Sequence, residues 1–180
     1  MFEDLRKNIG MMIARVQGRR LRAKQINFRG IYTKARSALF IMPFDEAHRS
    51  IALSVVQHAQ MQFKGNSMTI LSSTETSHSI AGKLHQCMMV PVHEDQIGYF
   101  FLPKASLITR LRERTYDVIV DLNLGITPLA ASVCAQLDVP LKAGFGSPQS
   151  ETVYNLQLQT ASARMPKLQY EQLVNTLAMF

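Results

Sequence analysis

The sequence lacks tryptophan and has only two cysteines among its 180 residues, Cys87 and Cys134. Both cysteines lie in apolar runs and neither belongs to a Cys-x-x-Cys pair, which predicts buried reduced thiols and a cytoplasmic protein. Histidines are also few. His48 and His58 would lie about 15 Å apart on one predicted helix, too far to share a metal ion. We therefore expect no metal site and no cofactor.

Long apolar runs and nucleophile motifs are missing as well. No run of about 18 apolar residues occurs, which argues against a membrane-spanning helix. The charged N-terminus predicts no signal peptide. There is no Gly-x-Ser-x-Gly elbow and no glycine-rich phosphate loop after the first predicted strand, so neither a serine hydrolase of that type nor a tight phosphate loop is indicated.

Positive charge is concentrated at the N-terminus. The net charge is +7, but residues 1–36 hold ten Lys or Arg and two acids (+8), while the other 144 residues hold ten bases and eleven acids (−1). Such a block of one sign is typical of a segment with an anionic partner. We interpret residues 1–36 as a basic N-terminal helix and arm, and residues 37–180 as a separate α/β domain.

Apolar residues within this segment recur at intervals of three and four, as in a helix. The stripe consists of Phe2, Leu5, Ile9, Met12, Ile13 and Val16. Three roles stay open: packing on the domain or on a second subunit, contact with an anionic membrane surface, and nucleic-acid binding. Packing is favoured, and nucleic acid is disfavoured because few aromatic residues lie among the bases. A membrane contact would make the protein peripheral to the inner membrane.

From residue 37 onward, apolar runs alternate with helical patterns. Strands are predicted at 37–42, 68–71, 86–90, 118–122 and 141–144, with an edge strand at 154–159. Helices are predicted at 46–62, 106–113, 128–137 and 166–180, and a polar loop, with one helical turn as an alternative, at 72–83. This alternation predicts a single doubly wound three-layer α/β/α sandwich, Rossmann-like, with a mostly parallel sheet of five or six strands.

Ligands of such sheets bind beyond the carboxyl ends of the strands, near the point where the strand order reverses. After the first strand, Asp45 or His48 is a candidate base, and Arg49 a candidate contact for an anion. The favoured alternative is structural. In that interpretation Asp45 caps the following helix, and Glu46 interacts favourably with its dipole.

A second polar group follows the fourth strand. Asn123 and Thr127 are candidate ligand contacts, and Gly125 would let a ligand approach the backbone closely. The alternative is again structural, since Thr127 followed by Pro128 is a typical helix start.

The stretch 116–146 resembles the first domain of the ADP-heptose:lipopolysaccharide heptosyltransferases, glycosyltransferase family nine. Their pattern here is Tyr-Asp, three hydrophobic residues, Asp-Leu, a polar residue, a Leu-rich helix and a strand that ends in Gly-Phe. The matching residues are Tyr116, Asp117, Asp121, Leu122, Asn123, Gly144 and Phe145. Nearly the whole chain is also similar to a group of short bacterial proteins, of Bacteroidetes type, that resemble this first domain alone.

The resemblance implies one half of a GT-B fold. The family's base is the Asp of a Gly-Asp pair after strand one, and the aligned positions here are His48 and Arg49. A guanidinium cannot accept the proton, and a Lys of the family's active site falls near Thr127. The transferases also bind the sugar nucleotide on a second domain, and we expect only the first domain here.

We therefore expect a non-catalytic domain, similar to the acceptor-side half, that binds a partner protein or a small anionic ligand. One alternative is a glycosyltransferase-like enzyme, completed by a homodimer or a partner chain, that binds a sugar nucleotide. The other is a membrane-surface adaptor that uses the basic helix.

Overall fold

The computed structural model describes residues 2–19, 30–63, 67–159 and 165–179, with the side chains of Arg19 and Gln62 left out. The basic residues at 20–29 and the predicted helix end at 64–66 lie outside the described residues. The strands are β1 (Ser37–Ile41), β2 (Ser67–Ser73), β3 (Cys87–Val92), β4 (Val118–Asp121), β5 (Leu141–Phe145) and β6 (Leu156–Leu158). The helices are α1 (Phe2–Arg19), α2 (Glu46–Gln62), α3 (Thr74–Ile80), α4 (Ala105–Arg112), α5 (Pro128–Gln136) and α6 (Pro166–Leu177).

The six strands form one sheet in the order β3-β2-β1-β4-β5-β6, and every neighbouring pair is parallel. The predicted doubly wound α/β fold is confirmed. Strand order reverses between β1 and β4, so the carboxyl ends of these two strands flank the switch point. The sheet therefore brings the two predicted polar groups to the same edge.

Helices cover both faces of the sheet, and alternate residues of β1 belong to opposite cores. Phe40 packs into the core beneath α2 and α6, where Tyr170 and Leu173 are buried. Leu39 and Ile41 pack into the other core, beneath α1, α4 and α5. Strands covered in this way are almost continuously apolar, which explains the unbroken apolar runs of the sequence.

Residues 74–80 form a helix, α3, where a polar loop was predicted. Ser73 caps it, because its Oγ accepts a hydrogen bond from the Thr76 amide at 3.2 Å. Ser72 and Ser77 bond to each other through their hydroxyls at 2.7 Å. Serine and threonine favour loops when their hydroxyls compete with the backbone. Here those hydroxyls are used by the cap and by this pair, and Ile80 is buried in the core.

The predicted end of β3 at residue 90 was also wrong, because the strand continues through Pro91 to Val92. Among the described strands β3 is an edge strand that pairs only with β2, so the missing N–H of Pro91 can face outward without breaking the ladder.

In α6 the buried residues are Gln169, Tyr170, Leu173 and Leu177, and Leu168 is exposed.

The N-terminal helix is confirmed, and it packs on the domain, but not through its apolar stripe. α1 lies against α5, and its buried residues are Gly10, Met11, Ala14 and Gly18. The stripe residue Met12 is exposed, as are Phe2, Leu5 and Val16. The spacing of apolar residues therefore predicted the helix correctly and its packed face incorrectly.

Candidate functional site

The carboxyl end of β4 is organised around the buried carboxylate of Asp121. Its Oδ1 accepts hydrogen bonds from the Asn123 side-chain amide at 2.6 Å and the Asn123 backbone amide at 3.0 Å. Its Oδ2 accepts a hydrogen bond from the Tyr154 hydroxyl. Burial raises the pKa of Asp121, while the bonds from Tyr154 and Asn123 oppose that rise. Burial and the neighbouring Asp121 carboxylate raise the pKa of Tyr154.

Asn123 joins the two loops of the switch point. While its amide nitrogen bonds to Asp121, its Oδ1 accepts a hydrogen bond from the Phe44 backbone amide at 3.2 Å, in the loop after β1. The side chain is buried, and both ends of its amide are used by the fold. Asn123 therefore positions the two loops, and its role as a ligand contact stays a prediction.

Tyr170 closes the same region from the side of α6. Its hydroxyl donates to the Leu122 carbonyl at 2.5 Å. Burial, together with the nearby carboxylates of Asp121 and Asp45, raises its pKa. The tyrosine thus lies close to both polar groups and ties α6 to the end of β4.

Asp45 and His48 pair with each other at the start of α2. Asp45 is the N-cap: its Oδ1 accepts a hydrogen bond from the Ala47 amide at 3.0 Å. Its Oδ2 lies 2.9 Å from the His48 Nδ1. The capping role and a base-and-orienter arrangement of imidazole and carboxylate are both compatible with this geometry.

Arg49 lies one residue further along α2, and its side chain is only 17% exposed. Its nearest acidic partner is Glu46, with a nitrogen-to-oxygen distance of 3.9 Å. The Arg49 Nε atom is buried and has no hydrogen-bond partner within the described part of the chain. A buried donor without a partner is costly, and an acceptor supplied by a ligand would satisfy it.

Gly125 and Thr127 lie in the loop between β4 and α5. Thr127 caps α5, since its Oγ1 accepts a hydrogen bond from the Ala130 amide at 3.2 Å. Gly125 is exposed, and no described atom lies within 4 Å of where its Cβ would be. The space above this loop is open, as close approach of a ligand to the backbone requires.

Sequence reasoning named Asp121 only as part of a resemblance, and it gave no role to Tyr154 or Tyr170. A signal for Asp121 was present, because an acid that ends an otherwise apolar strand needs a buried donor. The identity of that donor was not readable, since Tyr154 lies 33 residues along the chain. Elsewhere in the described ranges there is no group of three or more His, Cys, Asp or Glu able to hold a metal ion. No helix among those residues is long and apolar enough to cross a membrane.

Comparison with known proteins shows similarity at the level of fold. The structure of E. coli heptosyltransferase WaaC with ADP matches with a TM-score of 0.62 and 15% sequence identity, over 78% of this chain and 46% of that one. WaaC with ADP-2-deoxy-2-fluoro heptose gives a TM-score of 0.57 at 15% identity, over 78% and 47%. The fold is similar to about half of a heptosyltransferase. No family model and no curated protein sequence matches the chain.

Proposed function

We propose that this chain is a non-catalytic binding domain, with a fold like half of a glycosyltransferase, that holds a small anionic ligand at the carboxyl ends of β1 and β4. The observation that carries the proposal is Arg49, in the first turn of the helix that follows β1: its side chain is mostly buried, and its Nε has no hydrogen-bond partner among the described residues. An anionic oxygen there would form charge-assisted hydrogen bonds. The open space at Gly125 leaves room for the rest of the ligand.

The other polar groups argue against catalysis by this edge alone. The Asn123 amide is used at both ends by Asp121 and Phe44. Asp45 is occupied by a helix cap and by His48. A general base must reach the proton that it abstracts, and these oxygens already accept hydrogen bonds from the fold.

The test is a titration of the purified chain with ADP and with inorganic phosphate, followed by NMR and calorimetry. Both probes carry the anionic phosphate oxygens that an arginine side chain binds. We expect shifts confined to residues 43–49 and 122–127. Loss of charge-assisted hydrogen bonds costs about 1.5–3 kcal/mol, so Arg49→Gln should weaken binding roughly tenfold to hundredfold.

The matched control is Arg36→Gln, since Arg36 is exposed at the opposite end of β1. It should leave the affinity unchanged. Equal losses in both variants, or no binding of either probe at millimolar concentration, would contradict an anion site at Arg49. If neither probe binds but a partner protein shifts the NMR signals of the same residues, the ligand of this edge is a macromolecule and not a small anion.

A second candidate function is an enzyme whose site is completed by a second copy or by another chain. The specific observation in its favour is the contact between His48 Nδ1 and Asp45, which leaves Nε2 of the same ring for a proton. The test is glycosyl transfer from a sugar nucleotide. Activity lost in His48→Gln but kept in His58→Gln, a change at an exposed histidine of the same helix, would support it. A monomer that does not bind sugar nucleotide would exclude it.

A further inference from the structure

α1 is held on the domain by its smallest residues. A Cβ on Gly10 would overlap the Phe100 carbonyl oxygen, and one on Gly18 would lie 2.6 Å from the Thr152 carbonyl oxygen. Between them, Ala14 is fully buried. Contacts this close between helix and backbone fix which face of α1 points inward. The helix cannot rotate about its axis to bury another face without losing them.

The opposite face of α1 is apolar and exposed. With about 100° between successive residues of a helix, the stripe lies on the side away from Gly10, Ala14 and Gly18. Its four most exposed members are Phe2 at 79%, Met12 at 62%, Leu5 at 57% and Val16 at 53%. Single exposed apolar residues are ordinary, but a continuous row of them marks an interaction surface.

The charges beside the stripe decide between possible occupants. Arg6 and Arg15 flank it on either side of the helix. The surrounding segment, residues 1–36, has ten bases against two acids. A second copy placed on the stripe would bring two such segments together and repel. A bilayer with anionic headgroups is complementary to both the apolar row and its basic flanks.

An exposed aromatic residue extends this surface. Tyr99 is exposed, and its ring lies 4.0 Å from the Arg6 guanidinium. Arg6 also donates from Nε to the Tyr99 carbonyl oxygen at 2.8 Å. Tyrosine is enriched at membrane–water interfaces, where its ring contacts lipid and its hydroxyl contacts water.

We propose that the domain binds an anionic lipid surface through the exposed apolar stripe of α1, with Arg6 and Arg15 at the level of the headgroup phosphates. α1 lies in the plane of the interface and does not cross the bilayer. This surface is separate from the anion site at Arg49, so either proposal can fail while the other stands.

The test is flotation of the full chain with vesicles of phosphatidylcholine, with and without phosphatidylglycerol. We expect binding to the anionic vesicles, much weaker binding to the neutral ones, and release by high salt. The double variant Leu5→Gln, Met12→Gln should bind at least tenfold more weakly at an unchanged melting temperature. Glutamine keeps both the net charge and a good helix propensity.

Met61→Gln is the matched control, because Met61 is an exposed methionine on α2, away from α1. It should bind like the wild type. Equal binding by the control and the double variant would overturn the proposal, as would equal binding to neutral vesicles or no binding at all. The chain could instead fail to bind vesicles and self-associate in a way that the double variant abolishes. That outcome would assign the stripe to contact with a second copy and would also overturn the proposal.

Discussion

The loops that follow β1 and β4 lie at one edge of the sheet and contain similar polar residues, but these residues have different roles. After β4, Asp121 and Asn123 are buried and bonded to Tyr154 and to the loop after β1. After β1, Asp45 is exposed. Its described side-chain contacts are with Ala47 and His48, both in the first turn of α2. Residue type is therefore a poor guide to availability. What separates the loops is whether neighbouring elements cover them.

We expect substitutions in the buried loop after β4 to lower the free energy of unfolding more than substitutions in the exposed loop after β1. We predict that Asp121→Ala lowers the free energy of unfolding by about 3–5 kcal/mol, because the Tyr154 hydroxyl and the Asn123 amide both lose a buried acceptor. Urea denaturation followed by circular dichroism measures it. Asp95→Ala, at an exposed acid, should stay within about 0.5 kcal/mol of the wild type. A loss no larger than that control would mean that Asp121 does not organise this end of β4.

Asn123 tests whether the two loops are coupled. Asn123→Ala removes the acceptor of the Phe44 amide and one donor to Asp121, so we predict a loss of about 2 kcal/mol. The Phe44 amide should also exchange faster with deuterium than in the wild type. Unchanged exchange at Phe44 would show that the loop after β1 holds its position without Asn123.

The pH dependence follows from the raised pKa of Asp121. The ordinary pKa of an aspartate is 3.8, and burial raises the pKa of Asp121 in the folded state. Between the two values the folded state holds more protons, so stability falls as pH rises through this window. Each unit of difference corresponds to about 1.4 kcal/mol.

Asp121→Asn should remove this fall, because an amide does not titrate. The measurement is the free energy of unfolding at several pH values above 3.8, with the wild type and the variant compared at each. Lys142 has a lowered pKa because of burial, and it titrates in both proteins, so the difference isolates Asp121. Parallel curves would contradict a raised pKa at Asp121.

At the end of β1 we predict a smaller effect. Asp45→Ala removes the cap of α2 and should cost about 1 kcal/mol. Asp45→Ser keeps a capping oxygen but loses the charge that faces His48. Full stability in the serine variant would assign the role to the cap, whereas a loss equal to that of alanine would assign it to the pair with His48. Thermal unfolding distinguishes the two.

The smallest stability effect is expected at Arg49. Its one described acidic partner, Glu46, is 3.9 Å away and has a side chain that is 90% exposed, and such a distant, hydrated pair contributes little. Arg49→Gln should therefore change the free energy of unfolding by less than about 0.5 kcal/mol while it weakens anion binding. A clear destabilisation would show that Arg49 stabilises the fold and is not available to a ligand. The loops after β1 and β4 would then not differ in the way described above.

Much of the architecture was readable in the sequence, because its signals are local. Strand β1, helix α2 and helix α5 were predicted within a residue of their observed limits, since Pro43, Asp45, Thr127 and Pro128 mark boundaries through backbone chemistry alone. α3 was missed because serine hydroxyls favour a loop or a helix according to their bonding partners. The two polar groups were predicted to follow β1 and β4, which are neighbouring strands, but the bonding of Asn123 to Asp121 and Phe44 was not readable in the sequence.

The N-terminal helix α1 shows which of its properties the sequence determined and which the tertiary structure determined. The sequence by itself determined that a helix with one apolar stripe runs from Phe2 to Val16 within a basic segment, since spacing and propensity act locally. Only the tertiary structure decided that the stripe faces outward. Gly10 and Gly18 allow the helix to approach the carbonyls of Phe100 and Thr152, and a stripe of large side chains cannot approach so closely. The inward face was selected by shape complementarity to a distant part of the chain, which no local pattern records.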